Sequence, residues 1–280
     1  MRMRTAAIAS LALVVICLGS ALAVAAPKAE LWPRWQKYDP GSTQKIDHGL
    51  WDKFLKRFVV DHPSGINRVR YQAVMPEDLR DLKSYLEAMQ GVAISNYNRP
   101  EQKAYWINVY NAVTVDLILS RLPVASIRDI NISPGFLARG PWGAKLFSVE
   151  GERLSLDDIE HRILRPIWKD SRVHYAVNCA SLGCPNLQPL AFTGVNTEAL
   201  LDQAAREFVN HPRGVTFDRG QLQVSSIYVW FQEDFGRDPQ GLMEHWQKYA
   251  DPQLADALEK YSGGLRHSYD WRLNGADAKP

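Results

Sequence analysis

The stretch "PEQKAYWINVYNAVTVDLILSRLP", residues 100–123, predicts a long helix. Pro100 suits the first turn of a helix, and Pro123 stands where the helix must already have ended. A broad apolar face is formed by Trp106, Val109, Tyr110, Val113 and Leu117. Because such a face must be removed from water, we expect this helix to be buried.

Two amides, Asn108 and Asn111, interrupt this apolar pattern and share one face of the predicted helix. A buried amide without hydrogen-bond partners costs about 1–3 kcal/mol. One interpretation is that both side chains bind loop backbone, for example in the irregular segment 123–143. The other is that they line a pocket and donate hydrogen bonds to the oxyanion of a substrate.

The segments around this helix mix helical and strand patterns without a regular βαβ rhythm. Helices are expected from Leu50, from Pro76 to Gly91, and within residues 155–166, 196–210, 226–236 and 239–261. Hairpins are expected in residues 145–156 and 214–225, and strands in 172–178 and 268–275. We therefore predict an α+β fold, with a small, mostly antiparallel sheet flanked by helices in a single domain.

Residues 1–25 have the pattern of a secretory signal peptide. A basic start at Arg2 and Arg4 precedes a short apolar run and an Ala-Val-Ala cleavage site at residues 23–25. Residues 26–49 lack periodicity and are interpreted as an N-terminal leader, followed by one domain over residues 50–280. We expect the mature protein to be periplasmic or secreted.

The charge of the mature chain limits its partners. Without Arg2 and Arg4, the 33 basic residues fall to 31, equal to the 31 acidic residues. Neutrality without a basic cluster argues against nucleic acid as a partner. No other apolar run approaches the roughly 20 residues that span a bilayer, so no membrane span is expected in the mature chain. The expected ligand is a small molecule or a peptide, of unknown identity.

The stretch "SRVHYAVNCASLGCPNL", residues 171–187, holds both cysteines of the mature chain. Cys179 could act as a nucleophile if His174 or another group lowered the pKa of its thiol. Strand alternation, however, would turn Cys179 away from the face shared by His174 and Asn178. Because exported proteins meet an oxidising compartment, a disulfide between Cys179 and Cys184 is the alternative.

The helical stretch "LDDIEHRILRP", residues 156–166, places Asp157, Glu160 and His161 at neighbouring positions, with Arg165 one turn later. Glu160 could orient the ring of His174 and poise it as a base, or bind Arg165. A metal site at Glu160, His161 and His174 is a further alternative. Since the sequence lacks HExxH and C-x2-C patterns, we predict neither a metal nor another cofactor.

Five ordered segments resemble the DUF547 family, a domain of unknown function found in exported bacterial proteins and in plants. They are "AYWINVYNAVTVDLIL", "LSLDDIEHRILRP", "RVHYAVNCASLGCPNL", "VSSIYVWFQEDFG" and "YDWRLN". The resemblance covers nearly all of the mature chain, from about Trp51 to Asn274. The resemblance implies signature positions at Asn108, Tyr110, Asn111, Glu160, His161, Arg165, His174, Asn178, Cys179, Cys184 and Pro185. More distantly, the chain resembles the papain and transglutaminase-like thiol hydrolases.

Two functions are consistent with these patterns. The first is a Cys–His hydrolase or acyltransferase for amide or thioester bonds in the cell envelope, with Cys179 as nucleophile and His174 as base. Glu160 or Asn178 would orient His174, while Asn108, Asn111, His161 and Arg165 would bind substrate. The second is a non-catalytic periplasmic binding or scaffolding domain that contains a Cys179–Cys184 disulfide.

Overall fold

Helices form most of the regular structure in a computed structural model that describes residues 27–135 and 139–276. The predicted signal peptide lies outside these described residues. The α-helices in the described ranges are α1 (Gly49–Phe58), α2 (Pro76–Gln90), α3 (Arg99–Leu119), α4 (Arg165–Trp168), α5 (Thr197–Val209), α6 (Ile227–Trp230), α7 (Gln232–Phe235), α8 (Pro239–Tyr249) and α9 (Pro252–Glu259). Within those ranges, none of the helices has both the length and the apolar character needed to cross a membrane.

Helix α3 is the long helix predicted from residues 100–123, and it is buried on nearly every side. Asn98 caps it by accepting a hydrogen bond from the amide of Glu101, and Pro100 lies in its first turn. A helix enclosed on all faces belongs to the core rather than to the surface. The main hydrophobic core accordingly surrounds α3, where α1 and α2 also contribute side chains.

In the part of the chain that the structure describes, the strands are short and lie in three small sheets. They are β1 (Val59–Val60), β2 (Arg68–Val69), β3 (Phe147–Val149), β4 (Glu152–Leu154), β5 (Val215–Asp218), β6 (Gln221–Ser225) and β7 (Leu265–Ser268). The pairs β1–β2, β3–β4 and β5–β6 are antiparallel, whereas β6–β7 is parallel. The α+β class is therefore confirmed, as are both predicted hairpins, although the strands do not form one sheet.

The prediction of a strand over residues 172–178 is wrong. Residues Ser171–Tyr175 form a 3₁₀-helix, which begins where the side chain of Asp170 accepts a hydrogen bond from the amide of Arg172. Val173 to Asn178 are all buried, so the alternation of residue types does not separate a core face from an outer face. The argument that placed His174 and Cys179 on opposite faces of a strand therefore does not apply.

The helix predicted after Ser155 is present, but most of it is a π-helix, Asp158–Leu164. The capping box is formed, since Asp158 accepts hydrogen bonds from the amide and hydroxyl of Ser155. Pro166 does not end the helical segment, because it lies in the first turn of α4. The wider π turn is common at functional sites, and here it carries Glu160 and His161 into the interior.

The leader segment lies against this π-helix. The amides of Glu30 and Trp32 donate hydrogen bonds to the carbonyls of His161 and Arg162, at 2.9 and 3.0 Å. Trp35 is buried in the main core, with its ring 5.1 Å from that of Trp106 in α3. The leader therefore covers the outer side of the segment that carries the acidic and histidine residues.

Candidate functional site

The two cysteines form a close pair in the loop between the 3₁₀-helix and α5. Both are free, with their sulfurs 3.1 Å apart, whereas a disulfide bond is about 2.05 Å long. The predicted disulfide is therefore not formed in this structure. Cys184 is buried, whereas Cys179 is partly exposed.

Asn178 gives the cysteine loop, residues 178–185, its shape. Its side-chain oxygen accepts a hydrogen bond from the amide of Ala180, and its nitrogen donates to the carbonyl of Pro185. Ala180 has a φ of 57°, so the chain makes a tight turn directly after Cys179. This turn brings Cys184 back to Cys179, where the amide of Cys179 donates to the sulfur of Cys184 at 3.0 Å.

The C-terminal segment, residues 269–275, holds the other side of the cysteine loop. The amides of Leu182 and Gly183 donate to the carbonyls of Arg272 and Asp270, each at 2.8 Å. Gly183 is required for this approach, because a Cβ atom there would lie 2.8 Å from the backbone nitrogen of Asp270. The segment was predicted to be a strand, but β7 ends at Ser268 and residues 269–275 pair with the loop instead.

Tyr269 and Ser181 complete the surroundings of the Cys179 sulfur. The sulfur lies 3.1 Å from the Tyr269 hydroxyl and 3.2 Å from the Ser181 hydroxyl. Hydrogen bonding with Cys184 is the largest cause that lowers the pKa of Cys179; burial opposes it, and the Ser181 and Tyr269 hydroxyls lower the pKa further. Burial and the neighbouring Cys179 raise the pKa of Cys184. Cys179 is therefore the thiol that ionises first.

His174 lies in a separate cluster with two carboxylates. Its Nε2 atom is 2.7 Å from Asp234, and its Nδ1 atom is 3.4 Å from Glu160. Its ring stacks on Phe231 with a centroid distance of 4.3 Å. Burial alone would lower the pKa of His174, but both carboxylates favour the charged ring and together raise it.

Arg165 balances the charge of this cluster. Its guanidinium binds Asp234 at 2.5 Å and Glu233 at 3.0 Å, and it donates to the carbonyl of Pro27 in the leader. Burial opposes ionisation of Glu160, yet His161, His174 and Arg165 hold its pKa at about 2. Glu160 and Asp234 are therefore ionised at neutral pH, and the cluster is a buried network of alternating charges.

The carboxylate of Asp157 and the ring of His161 lie at the edge of this network, 3.7 Å apart. Burial, together with Glu160 and Asp158, raises the pKa of Asp157 to about 7. Burial lowers the pKa of His161 to about 4, because the opposing charge of Glu160 is partly offset by Arg165. In the described ranges, no group of His, Cys, Asp and Glu residues has the geometry of a metal site.

Seven of the nine predicted site residues fall into two groups. Glu160, His161, Arg165 and His174 meet in the charged network, where the Glu160 carboxylate lies 3.4 Å from the His174 ring. Asn178, Cys179 and Cys184 form the cysteine loop. Among the described residues, His174 is hydrogen-bonded to Asp234 and ion-paired with Glu160, and no hydrogen bond joins it to Cys179.

The amides of Asn108 and Asn111 bind backbone, although not in the segment 123–143. Asn111 donates to the carbonyl of Ala176 and accepts the amide of Asn178, at 2.9 and 2.8 Å. Asn108 makes the same pair of bonds with Phe192, at 2.7 and 3.0 Å. Their polar atoms are therefore engaged by the backbone rather than directed at a substrate oxyanion.

A surface cavity of about 550 Å³ lies beside the cysteine loop. Its lining comprises Ala125, Ser126, Asp129, Ser268, Tyr269, Asp270, Trp271 and Arg272. Tyr269 connects the cavity with the thiol, because this residue lines the cavity and its hydroxyl contacts Cys179. Trp230 packs on Tyr269 and Trp271, at centroid distances of 4.9 and 5.7 Å, and extends this aromatic surface.

Sequence reasoning assigned no role to Asp234, Tyr269 or Ser181. Asp234 belongs to "FQEDFG" and Tyr269 to "YDWRLN", two segments that resemble the family. Both lie far along the chain from the residues they bind, 60 residues for Asp234 and His174 and 90 for Tyr269 and Cys179. No local spacing pattern relates residues so far apart.

Comparison with known proteins gives one family. Residues 94–209 match the family described as "Protein of unknown function, DUF547", which confirms the resemblance inferred from the motifs. The match includes α3, the π-helix, the cysteine loop and α5, and it ends before Asp234 and Tyr269. No curated protein and no solved structure matches the chain, so the likeness to papain and transglutaminases is not borne out.

Proposed function

We propose from the geometry of the site that this protein is a thiol-dependent hydrolase or acyltransferase. The DUF547 family that it matches is described without an activity. Cys179 is the nucleophile toward an amide or thioester carbonyl. One observation carries the proposal: a partly exposed thiol has three polar neighbours, Cys184, Ser181 and Tyr269, all within 3.2 Å. A thiol in such surroundings ionises more readily and attacks as the thiolate.

In the proposed reaction, Cys179 is the nucleophile and its neighbours are the proton donors. The Cys179 sulfur forms a bond to the acyl carbon, and the amine or thiol of the substrate leaves with a proton. The Tyr269 hydroxyl and the Cys184 thiol, both 3.1 Å from the sulfur, are positioned to supply that proton. Water or an acceptor nucleophile then breaks the acyl–sulfur bond and releases Cys179.

His174 has a different role in this proposal from the base assigned from sequence. Both of its ring nitrogens face carboxylates, so the ring contributes to the charged network rather than accepting the proton of Cys179. The cavity lined by Tyr269 and Trp271 is the proposed binding site for a small-molecule or peptide substrate. Its volume of about 550 Å³ is within the range of ligand pockets in other proteins. The N-terminal sequence supports action in the periplasm or outside the cell.

The proposal predicts the pH dependence of Cys179 alkylation by iodoacetamide. The Tyr269→Phe variant, which loses one donor to the thiolate, is expected to raise the midpoint by about one pH unit. The Cys184→Ala variant is expected to raise it further, because Cys184 has the largest effect on the pKa of Cys179. Tyr261→Phe, a tyrosine that hydrogen-bonds the carbonyl of Gly264, is the matched control and should leave the midpoint unchanged.

Turnover provides the direct test. With p-nitrophenyl acetate and a panel of acyl thioesters as probes, the Cys179→Ala variant is expected to lose at least about 100-fold in rate, as expected for loss of a covalent nucleophile. Circular dichroism and thermal unfolding establish that the variant is folded. Unchanged turnover in a folded Cys179→Ala variant would contradict the proposal. An inactive wild type that binds peptides or small molecules would support the non-catalytic binding domain instead.

A further inference from the structure

The two cysteines differ in exposure although their sulfurs are in contact. Cys179 is partly exposed and contacts Tyr269, which lines the cavity, whereas Cys184 is only 5% exposed. Cys179 is therefore the more accessible of the two residues. A pair of this kind, with one accessible and one enclosed thiol, has the arrangement needed for attack followed by intramolecular resolution.

The loop holds the two thiols at a distance from which they can form a bond. Closing the sulfurs from 3.1 Å to the length of a disulfide, about 2.05 Å, needs a movement of about 1 Å. The turn at Ala180 and the hydrogen bonds of Asn178 fix both ends of the loop in the reduced state. The pair is therefore preorganised, and little further ordering is needed for the thiols to react.

Arg213 binds the two parts of the chain that flank Cys184. Its guanidinium donates to the carbonyl of Leu182 at 2.9 Å and to the side chain of Asn186 at 2.6 Å, on either side of this cysteine. Its Nε atom is buried and has no hydrogen-bond partner among the described residues. A positive charge at this place favours the thiolate of Cys184 once the negative charge on Cys179 is removed.

From this arrangement we infer that Cys179 and Cys184 form a thiol–disulfide exchange centre that reduces a low-molecular-weight or protein disulfide entering the cavity. The inference rests on the proposed function only in using Cys179 as the nucleophile. It adds a redox reaction, a second reacting residue and a substrate class to that site.

The exchange proceeds in two balanced steps. The Cys179 thiolate attacks one sulfur of the substrate disulfide, a mixed disulfide forms, and the first substrate thiol leaves. Cys184 then attacks the Cys179 sulfur, the mixed disulfide bond breaks, and the second substrate thiol leaves. The two cysteines are oxidised by two electrons, the substrate is reduced to two thiols, and the two protons pass from the cysteines to the products.

The order of the steps follows from the acidities of the thiols. Burial and the charge of Cys179 keep Cys184 protonated in the reduced protein. When Cys179 enters a mixed disulfide it loses its charge, so one of the two causes that raise the pKa of Cys184 disappears. Cys184 is thus activated only after the first step, when a resolving thiolate is needed.

The experiment uses the full-length mature protein, reduced and then mixed with 2,2′-dithiodipyridine or oxidised glutathione. Wild type is expected to release two equivalents of thiol and to lose two hydrogens in mass, without a retained adduct. The Cys184→Ser variant is expected to release one equivalent and to retain the adduct on Cys179. The Arg213→Gln variant is expected to complete both steps, with the second slowed about tenfold.

Two outcomes would overturn the inference. If wild type keeps the adduct as the Cys184→Ser variant does, the cysteines do not resolve, while Cys179 can still be the acyl-transfer nucleophile. If the Cys179→Ser variant forms the adduct on Cys184, the assignment of roles is wrong. Acyl turnover measured on the same preparations distinguishes failure of this inference from failure of the proposed function.

Discussion

At the scale of single residues, His174 shows how surroundings determine the role of a side chain. Sequence reasoning treated it as the base for Cys179, yet in the folded protein Asp234 and Glu160 occupy both of its nitrogens. The stacked ring of Phe231 encloses it further. Its charged form is stabilised by two carboxylates, which suits a structural ion network better than proton transfer to a thiol.

The network predicts a specific pH dependence of stability. Because the pKa of His174 is raised in the folded protein, its contribution is fully present below the unfolded value of 6.5 and is lost as pH rises through the folded value. The difference in free energy of unfolding between wild type and His174→Gln should therefore be larger at about pH 6 than at about pH 9. Urea unfolding of both proteins at both pH values measures this difference in free energy.

The exposed His62, in the variant His62→Gln, is the control for this measurement and should show a much smaller change. A difference for His174→Gln that grows with rising pH would mean that the folded protein holds this ring neutral. The stated arrangement of Asp234 and Glu160 around His174 would then be incorrect.

At the scale of elements, α3 positions the cysteine loop without contributing a reacting group. Asn111 binds the backbone of Ala176 and Asn178, directly before Cys179, and Asn108 binds the backbone of Phe192, beyond the loop. The two amides lie one turn apart on the same helix and make equivalent bonds. Asn108 and Asn111 can therefore be compared directly, because only Asn111 holds the segment next to the Cys179 thiol.

Replacing each amide separately tests this division. Asn111→Ala and Asn108→Ala should each lower the free energy of unfolding by about 2–4 kcal/mol, because each leaves two buried backbone groups without partners. Only Asn111→Ala should also slow alkylation of Cys179 at neutral pH, since it releases the start of the cysteine loop. Equal alkylation rates in the two variants would show that α3 does not position the thiol.

At the scale of the whole molecule, the cysteine loop depends on a segment that lies about 90 residues later in the chain. Residues 269–275 pair with the loop, and Tyr269 contacts the thiol. Asn274 joins this segment to two other parts of the protein, because its side chain accepts the hydroxyl of Tyr71 at 2.9 Å and donates to Asn178 at 3.5 Å. The site is therefore complete only when the C-terminal segment has docked.

Substitution of Gly183 tests this docking. A methyl group at Gly183 meets backbone atoms of Asp270 that cannot move freely, so Gly183→Ala should lower the free energy of unfolding by about 1–3 kcal/mol. It should also increase hydrogen exchange at the amide of Leu182. Gly264→Ala, where a Cβ atom has no neighbour within 4 Å, is the control. Equal stability of the two variants would show that the loop and the segment are not closely packed.

Several features could be read directly from the chain because they depend on neighbouring residues. The long helix α3, the two hairpins and the capping box at Ser155 follow from local periodicity, turn residues and spacing. The α+β class and the DUF547 motifs also follow from local patterns. The 3₁₀-helix at Ser171–Tyr175 could not be predicted in this way. Every residue from Val173 to Asn178 is buried, so the alternation of residue types does not distinguish a core face from a solvent face.

Only the tertiary structure shows which residues of the candidate site contact each other. The pairing of His174 with Asp234, and of Cys179 with Tyr269, joins residues 60 and 90 positions apart, and no local pattern encodes such contacts. Local sequence places Cys179 and Cys184 in one loop, but their separation and unequal exposure depend on how α3 and the C-terminal segment pack around it. Packing, which is non-local, therefore determines which of these thiols can react.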